Sequence, residues 1–456
     1  MERRTYWNEE LETMPWPDVE RWQMQQLAAA LPALRARSKM YADLHATVPG
    51  DLPIRELADL RSLPFTLKDH LRAAQEASTA AEPFGRNQGA PLEDIHQGLC
   101  SSGTTGRPVY FALTRMDSDR FADAIAGAWY TTGVRRGDVV AHLVGLPMVA
   151  GGLPYADGFR RLGAVLCWLG GFPTDRILRE MRMLRVTALL ATTSFALFLA
   201  DQWNALGQET GVPSALRHVL CGGEPGLTQP EIRERIARGL AIRNLRETMG
   251  LGDVIPCMWA ECSEEAGMHF TAQRYVAIEL IDPDTGEQRP WREGETGEVV
   301  YTAFAREASP VVRFRSRDHV VVTGVGCACG RTGPRMRCIG RTDDMLIYKG
   351  MNVFPTAIRD LIAARFSVEV EPFVRIWKKR ADQVRFDGPI EVDVELKALR
   401  DPARAATLAL EIEGEVRTQL QVRVSARLVP PGTLPRSAYK NALVAVRPPA
   451  AHDQIA

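Results

Sequence analysis

Between Gly98 and Gly223, short apolar runs alternate with amphipathic segments. "DVVAHLVGL", "GAVLCWLGG", "VTALLATT" and "LRHVLCGGE" read as strands, with "RMDSDRFADAIAGAWYTTG" and "DRILREMRML" as helices between them. Strand and helix alternating at this pitch require parallel sheets covered by helices. After about Phe270 the pattern changes. "RYVAIELIDPDTGEQRPWREGETGEVVYTAF" is cut into short strands by Asp-Pro, Thr-Gly and Glu-Gly turns, which predicts an antiparallel sheet or small barrel. From near Arg341, a loop, a helix, the strand "PIEVDVELKAL", a charged helix and the strand "VRVSARLVP" predict a compact α+β unit. The expected fold class is therefore α/β. A large domain, residues 1–342, carries parallel sheets covered by helices and a barrel-like β subdomain at about 270–340. A small mobile α+β domain spans 343–456. Upstream, apolar residues at helical spacing from Asp18 to Leu44 predict one helix, started by Trp16-Pro17-Asp18.

The totals narrow the function. The 456 residues suit two or three domains. Fifty-six basic residues balance 56 acidic ones, whereas a nucleic-acid binder carries a basic surplus or stripe. "MERRTYWNEELETM" has no apolar core of the kind a signal peptide needs. The most apolar stretch, Val186 to Trp203, is interrupted by Thr192, Thr193 and Ser194 and closed by Asp201, so it reads as a strand and a capped helix rather than a membrane span. Eight scattered cysteines read as reduced thiols or metal ligands, and the expected location is the cytoplasm.

"CSSGTTGRP", Cys100 to Pro108, packs hydroxyls and glycines between two strands. Such a loop suits phosphate oxygens: glycine lets the backbone approach, and N–H and O–H groups donate. Arg107 adds a permanently charged planar donor. A Walker A loop would open a helix and end in Gly-Lys-Ser/Thr, which this one does not.

The loop resembles the phosphate-binding loop of adenylate-forming enzymes, the acyl-CoA synthetase superfamily, and within it the chain is most similar to the phenylacetate–CoA ligase family. "YWNEELETMPWPDVERWQMQQL", "LPFTLKDHLR", "GGLPYADGFRRLGAVLCWLGG", "LCGGEP", "RFRSRD", "GRTDDMLIYKGMNVFP" and "LPRSAYK" resemble family segments in the family's order. The resemblance implies a two-step reaction. A carboxylate attacks the α-phosphate of ATP to give acyl-AMP, and a thiol, usually that of coenzyme A, then displaces AMP. It implies that Ser101, Ser102, Gly103, Thr104, Thr105, Gly106 and Arg107 hold phosphates, and that Gly222, Gly223, Glu224 and Pro225 form the adenine turn. Asp318 would accept from the ribose hydroxyls, and Arg341 would reach the ribose or α-phosphate. Asp343 would be the hinge. Lys440 would be the catalytic lysine, bridging carboxylate and α-phosphate. Tyr155, Trp168, Phe195, Met249, Gly250 and Gly252 would line an acyl pocket suited to an aromatic or arylacetic acid.

Three departures stand out. Met249-Gly250-Leu251-Gly252-Asp253 replaces the family's Tyr-Gly-Leu-Ser/Thr-Glu, so Gly252 lacks a hydroxyl and Asp253, the candidate Mg²⁺ ligand, is one methylene shorter. Arg107 replaces a common lysine, and Tyr439 stands where glycine is common. Separately, "ECSEEAGMH" and "GCACGRT" supply Cys262, His269, Cys327 and Cys329, a Cys₃His set suited to structural zinc. Members of the family that resemble this pattern carry zinc there. The alternative is a set of buried free thiols, and Cys257 is a reserve ligand. The acyl acceptor stays open between coenzyme A, a carrier-protein thiol, an amine and nitrite activation. So do a nucleotide-binding homologue without turnover and the choice between monomer and homodimer.

Overall fold

The computed structural model describes residues 5–101, 108–144, 148–210, 213–224, 226–349, 351–380, 383–435 and 443–447. Strands β1 (Ile95–Cys100) and β2 (Tyr110–Thr114) form an antiparallel hairpin around the hydroxyl loop. Strands β3 (Val139–His142), β4 (Val165–Trp168), β5 (Ala188–Ala191), β6 (His218–Gly222) and β7 (Asn244–Met249) pair in parallel, in the order 4-3-5-6-7. Their side chains alternate between two cores. Val140, Leu190 and Leu220 enter one with Ile125, Trp129 and Phe159 of the helices Arg115–Thr131 and Leu153–Leu162. Ala141, Leu189, Ala191, Val219 and Cys221 enter the other, with residues of the helices Thr174–Met183, Thr193–Thr210 and Pro230–Gly239. The period of two along each strand makes this division possible.

The remaining large-domain strands are β8 (Trp259–Glu261), β9 (Met268–Phe270), β10 (Ala277–Ile281), β11 (Gln288–Arg289), β12 (Thr296–Ala303), β13 (Val311–Val325) and β14 (Pro334–Arg341). They do not stand apart as the sequence suggests. Antiparallel pairs β7–β8, β8–β9 and β9–β14 carry the ladder on, so one mixed sheet of 12 strands spans the large domain. The helix expected over 18–44 is two, Trp16–Arg37 and Lys39–Leu44. Ser38 breaks it in extended conformation, and its Oγ accepts from Tyr41 N, capping the second helix.

Residues from Leu346 onward have a core of their own. It holds β15 (Leu346–Tyr348), β16 (Met351–Val353), β17 (Val370–Lys378), β18 (Arg385–Phe386), β19 (Ile390–Leu396), β20 (Val424–Val429) and β21 (Val444–Val446), with the helices Pro355–Arg365 and Pro402–Leu420. This unit rests on the large sheet where Thr356 Oγ1 donates to Ile339 O at 2.9 Å and Phe354 packs on His319, 5.0 Å between centroids.

Arg313 clamps the large domain from inside. It is 3% exposed, its Nε and Nη2 donate to the Glu279 carboxylate at 3.0 and 2.8 Å, and its Nη1 donates to Leu63 O at 2.6 Å. Removing one member of a buried ion pair leaves the other charge uncompensated. Arg313→Met is expected to lower the unfolding free energy by about 3–5 kcal/mol in urea titration. Adding Glu279→Gln should recover part of that loss.

Candidate active site and metal-ligand cluster

Ser101 closes the neck of the hydroxyl loop. Its N–H donates to Val109 O at 2.8 Å and its Oγ accepts from Val109 N at 3.0 Å, which leaves its O–H available to donate. Ser102, Gly103, Thr104, Thr105, Gly106 and Arg107 lie outside the described residues. The turn Leu251–Ile255 lies beneath this neck, closed by Leu251 N donating to Ile255 O at 3.1 Å. A Cβ on Gly252 would stand 2.9 Å from Ala150 Cβ and 3.8 Å from Ser101 Cα. The turn therefore has no room for the family's Ser or Thr unless Ala150 moves. A Cβ on Gly250 would stand 2.3 Å from the Pro256 carbonyl carbon, so only glycine fits there.

Asp253, 7% exposed, is held from two sides that the sequence reading missed. Lys68 Nζ lies 2.5 Å from its Oδ1. Arg306 Nη1 donates to its carbonyl and, at 3.3 Å, to Val254 O. The Arg306 guanidinium lies 5.1 and 5.4 Å from the Phe111 and Phe121 ring centroids, and burial lowers its pKa to about 10, still charged at neutral pH. Lys68 belongs to a stretch that carries the family resemblance. Arg306 lies in "AFAREASP", which carries no signal of its own.

The adenine-turn candidates follow β6. Gly222 faces Thr248 so closely that a Cβ would stand 2.7 Å from its Oγ1, and Gly223 has φ +85. Glu224 turns back to the helix Thr193–Thr210, where its Oε1 accepts from Ser194 N at 2.6 Å. Pro225 lies outside the described residues. Asp318 on β13 and Arg341 on β14 are direct cross-strand partners, and Arg341 Nη1 donates to Asp318 Oδ1 at 2.5 Å. Asp318 is 2% exposed. Asp343 follows in the 3-10 turn Thr342–Asp344, its side chain outside the described residues, as is Lys440.

The acyl-pocket candidates divide. Tyr155 and Gly250 meet at Pro256, where Tyr155 OH donates to the carbonyl at 2.8 Å. Trp168 packs on His142, 4.8 Å between centroids, and His142 lies 6.2 Å from Tyr155. Met249 is half-buried against the same core. Phe195 lies in the other core beside Phe198, across the sheet from Tyr155.

Beside β8 and β9 and in the β13–β14 connection, the donor atoms of Cys262, His269, Cys327 and Cys329 all lie within 4.8 Å of one another. Cys262 Sγ and Cys327 Sγ are 3.9 Å apart, and Cys329 Sγ and His269 Nε2 are 3.5 Å apart. A tetrahedral zinc site has edges of about 3.8 Å between sulfurs and about 3.6 Å between sulfur and nitrogen. Arg331 Nη1 donates to Cys329 Sγ at 3.7 Å while its Nε lies 2.8 Å from Glu12 Oε2. Cys257 stays in the main core. Cys221 is buried, as a small apolar residue would be, but Cys100, Cys167 and Cys338 are only half-buried.

The AMP-binding enzyme family model matches residues 40–303, and the AMP-binding enzyme C-terminal domain matches residues 350–446. The chain belongs to this family. Within it, the ligase is 31% identical over 454 residues to the phenylacetate-coenzyme A ligase of Thermus thermophilus, covering 94% of this chain and 96% of that one. It is 30% identical over 443 residues to the phenylacetate-coenzyme A ligase of Escherichia coli, covering 94% and 95%. Its fold matches 2-hydroxyisobutyryl-CoA ligase in the postadenylation state with 2-HIB-AMP at TM-score 0.84 and 25% identity, over 98% of this chain and 93% of that one. The thioesterification-state structure of that protein gives TM-score 0.68 at 25% identity, over 97% and 92%. Among the described residues, no helix is long and apolar enough to cross a membrane.

Burial lowers the His142 pKa to about 4, although the hydrogen bond its Nε2 makes to Gly152 O raises it. The unfolded chain takes up this proton near pH 6.5, and the folded one does so only near pH 4. Between these values the unfolded state binds more protons, so stability rises with pH. Unfolding free energy is expected to fall by up to about 3 kcal/mol from pH 7 to pH 4 through this residue. In urea titrations, His142→Gln should show a shallower fall than wild type.

Proposed function

We propose that this family member joins an aromatic or arylacetic acid to coenzyme A in two steps. ATP and the acid give acyl-AMP and pyrophosphate, and the coenzyme A thiol then displaces AMP. The observation that carries the reading is the Gly250–Asp253 turn, packed against Ser101 at the neck of the hydroxyl loop. The Ser101 hydroxyl, a candidate phosphate donor, and the buried Asp253 carboxylate of that turn support the reading. Asp253 would hold Mg²⁺, which is commonly bound by one or two carboxylates together with substrate phosphates, and the ion would screen phosphate charge. Asp318 would accept from the ribose diol, and Arg341, beside it, would lend its charge toward the ribose or α-phosphate. The relatives' names support the aryl acid, as does the apolar and aromatic surround of Tyr155, Trp168 and Met249.

Asp343 would be the hinge, turning the small domain between adenylation and thioester formation. The higher TM-score to the postadenylation structure than to the thioesterification structure supports this reading. Lys440 would bring its ammonium to the carboxylate and α-phosphate, where charge accumulates. Cys262, His269, Cys327 and Cys329 would hold a structural Zn²⁺ away from the reaction, and the near-tetrahedral spacing of the four donors supports that assignment.

Pyrophosphate release is expected with ATP, Mg²⁺ and an aryl acid alone. Release of AMP should depend on coenzyme A, with the thioester identified by mass; silence across a panel of aryl acids would refute the reading. Lys440→Ala is expected to slow adenylation about 10²–10³-fold while sparing thioester formation from supplied acyl-AMP. Metal analysis should find about one zinc per chain, and Cys329→Ser should lose it with a lower unfolding temperature.

A further inference from the structure

Asp253 already has a counter-cation, and that partner comes from a part of the chain with no role in the reading above. Lys68 opens the helix Lys68–Glu76, 185 residues away in sequence. Its ammonium stands 2.5 Å from Asp253 Oδ1. The pair lies between water and core: the Lys68 side chain is 24% exposed and that of Asp253 is 7% exposed.

The two partners differ in freedom. The Asp253 backbone is fixed by Arg306, which donates to its carbonyl and is itself enclosed by Phe111 and Phe121. The helix bearing Lys68 is fixed too. Gln75 Oε1 accepts from Tyr110 N at 2.7 Å and Gln75 Nε2 donates to Pro108 O at 3.2 Å, tying the helix to the exit strand of the hydroxyl loop. What can move is the four-carbon stem of Lys68, which ends in a compact, rotatable charge. With its ammonium against Oδ1, Lys68 competes with a divalent cation for that oxygen and offsets the charge that would attract one.

We propose that Lys68 occupies the divalent-cation ligand Asp253 in the empty enzyme. It yields that carboxylate when Mg²⁺ arrives with ATP, and its ammonium then turns to the β- and γ-phosphates. This rests on the assignment of Asp253 as the Mg²⁺ ligand. The exchange keeps the carboxylate compensated in both states, and it makes free Mg²⁺ a poor ligand without the nucleotide that gives the lysine somewhere to go.

The test uses the whole protein and Mn²⁺ as the probe, read by the electron-spin signal of the free ion. Without nucleotide, Lys68→Met is expected to bind Mn²⁺ at least tenfold more tightly than wild type. Lys68→Arg should stay near wild type, and adding Asp253→Asn to Lys68→Met should abolish the gain. In turnover, Lys68→Met should raise the KM for MgATP about tenfold or more. Mn²⁺ affinity unchanged in Lys68→Met would overturn the proposal. If that variant does not fold, wild-type Lys68 can be labelled with an amine-reactive ester: saturating Mn²⁺ should increase its labelling, and unchanged labelling would overturn the exchange. Pyrophosphate release by the same wild-type preparation separates two failures. Its absence with every aryl acid removes the ligase reading and this proposal with it, whereas a turnover-competent protein with unchanged Mn²⁺ affinity removes only the proposal.

Discussion

Burial of both faces of the central parallel strands is the constraint on which the molecule depends. Leu189 and Leu190 are adjacent in β5, and each is fully buried in a different core. A slip of one residue would exchange the two faces of every strand, so register is held tightly. The carboxyl ends of these strands consequently stand at fixed positions. Gly222 and Met249 end adjacent strands there, and the turns that follow them carry the adenine-turn and carboxylate candidates. Ligands of open α/β sheets collect at this edge.

Charge is organised around the same edge by burial. Among the described residues Arg306 has no carboxylate in hydrogen-bond contact, and its Nη1 donates to both the Asp253 and Val254 carbonyls, which stiffens the turn. Asp318 and Arg341 neutralise one another across two strands. Beside β8 and β9, a Cys₃His set holding zinc would carry a net negative charge, and Arg331 lies against one of its sulfurs with Glu12 behind it. Arg331 would offset that charge, and its contact with Glu12 ties the N-terminal segment to the loop that bears Cys329.

The sequence made the repeating part legible and the long-range part not. β5 and β6 could be read because an apolar run between helical segments has few other solutions. The Cys-x-Cys knuckle could be read because its spacing is itself the chemistry. The joining of both strand sets into one ladder could not, since it rests on pairs such as His269 with Arg335 that no local pattern announces. The break at Ser38 was hidden because apolar spacing continues through it. Phe195 shows the converse: the sequence cannot say which face of the sheet a helix covers, and the strand and helix geometry put its ring in the second core. Lys68 lay inside a recognisable stretch, yet its partner is fixed by tertiary packing alone.

The carboxylate of Glu224 has a further consequence. Because it accepts from the Ser194 N–H at the start of a long helix, the turn after β6, the candidate adenine wall, is anchored on its far side. A wall tethered in this way has little conformational entropy left to lose when a purine docks, so more of the contact enthalpy remains as affinity. Any discrimination among nucleobases would then have to arise from hydrogen bonding at the turn rather than from its flexibility.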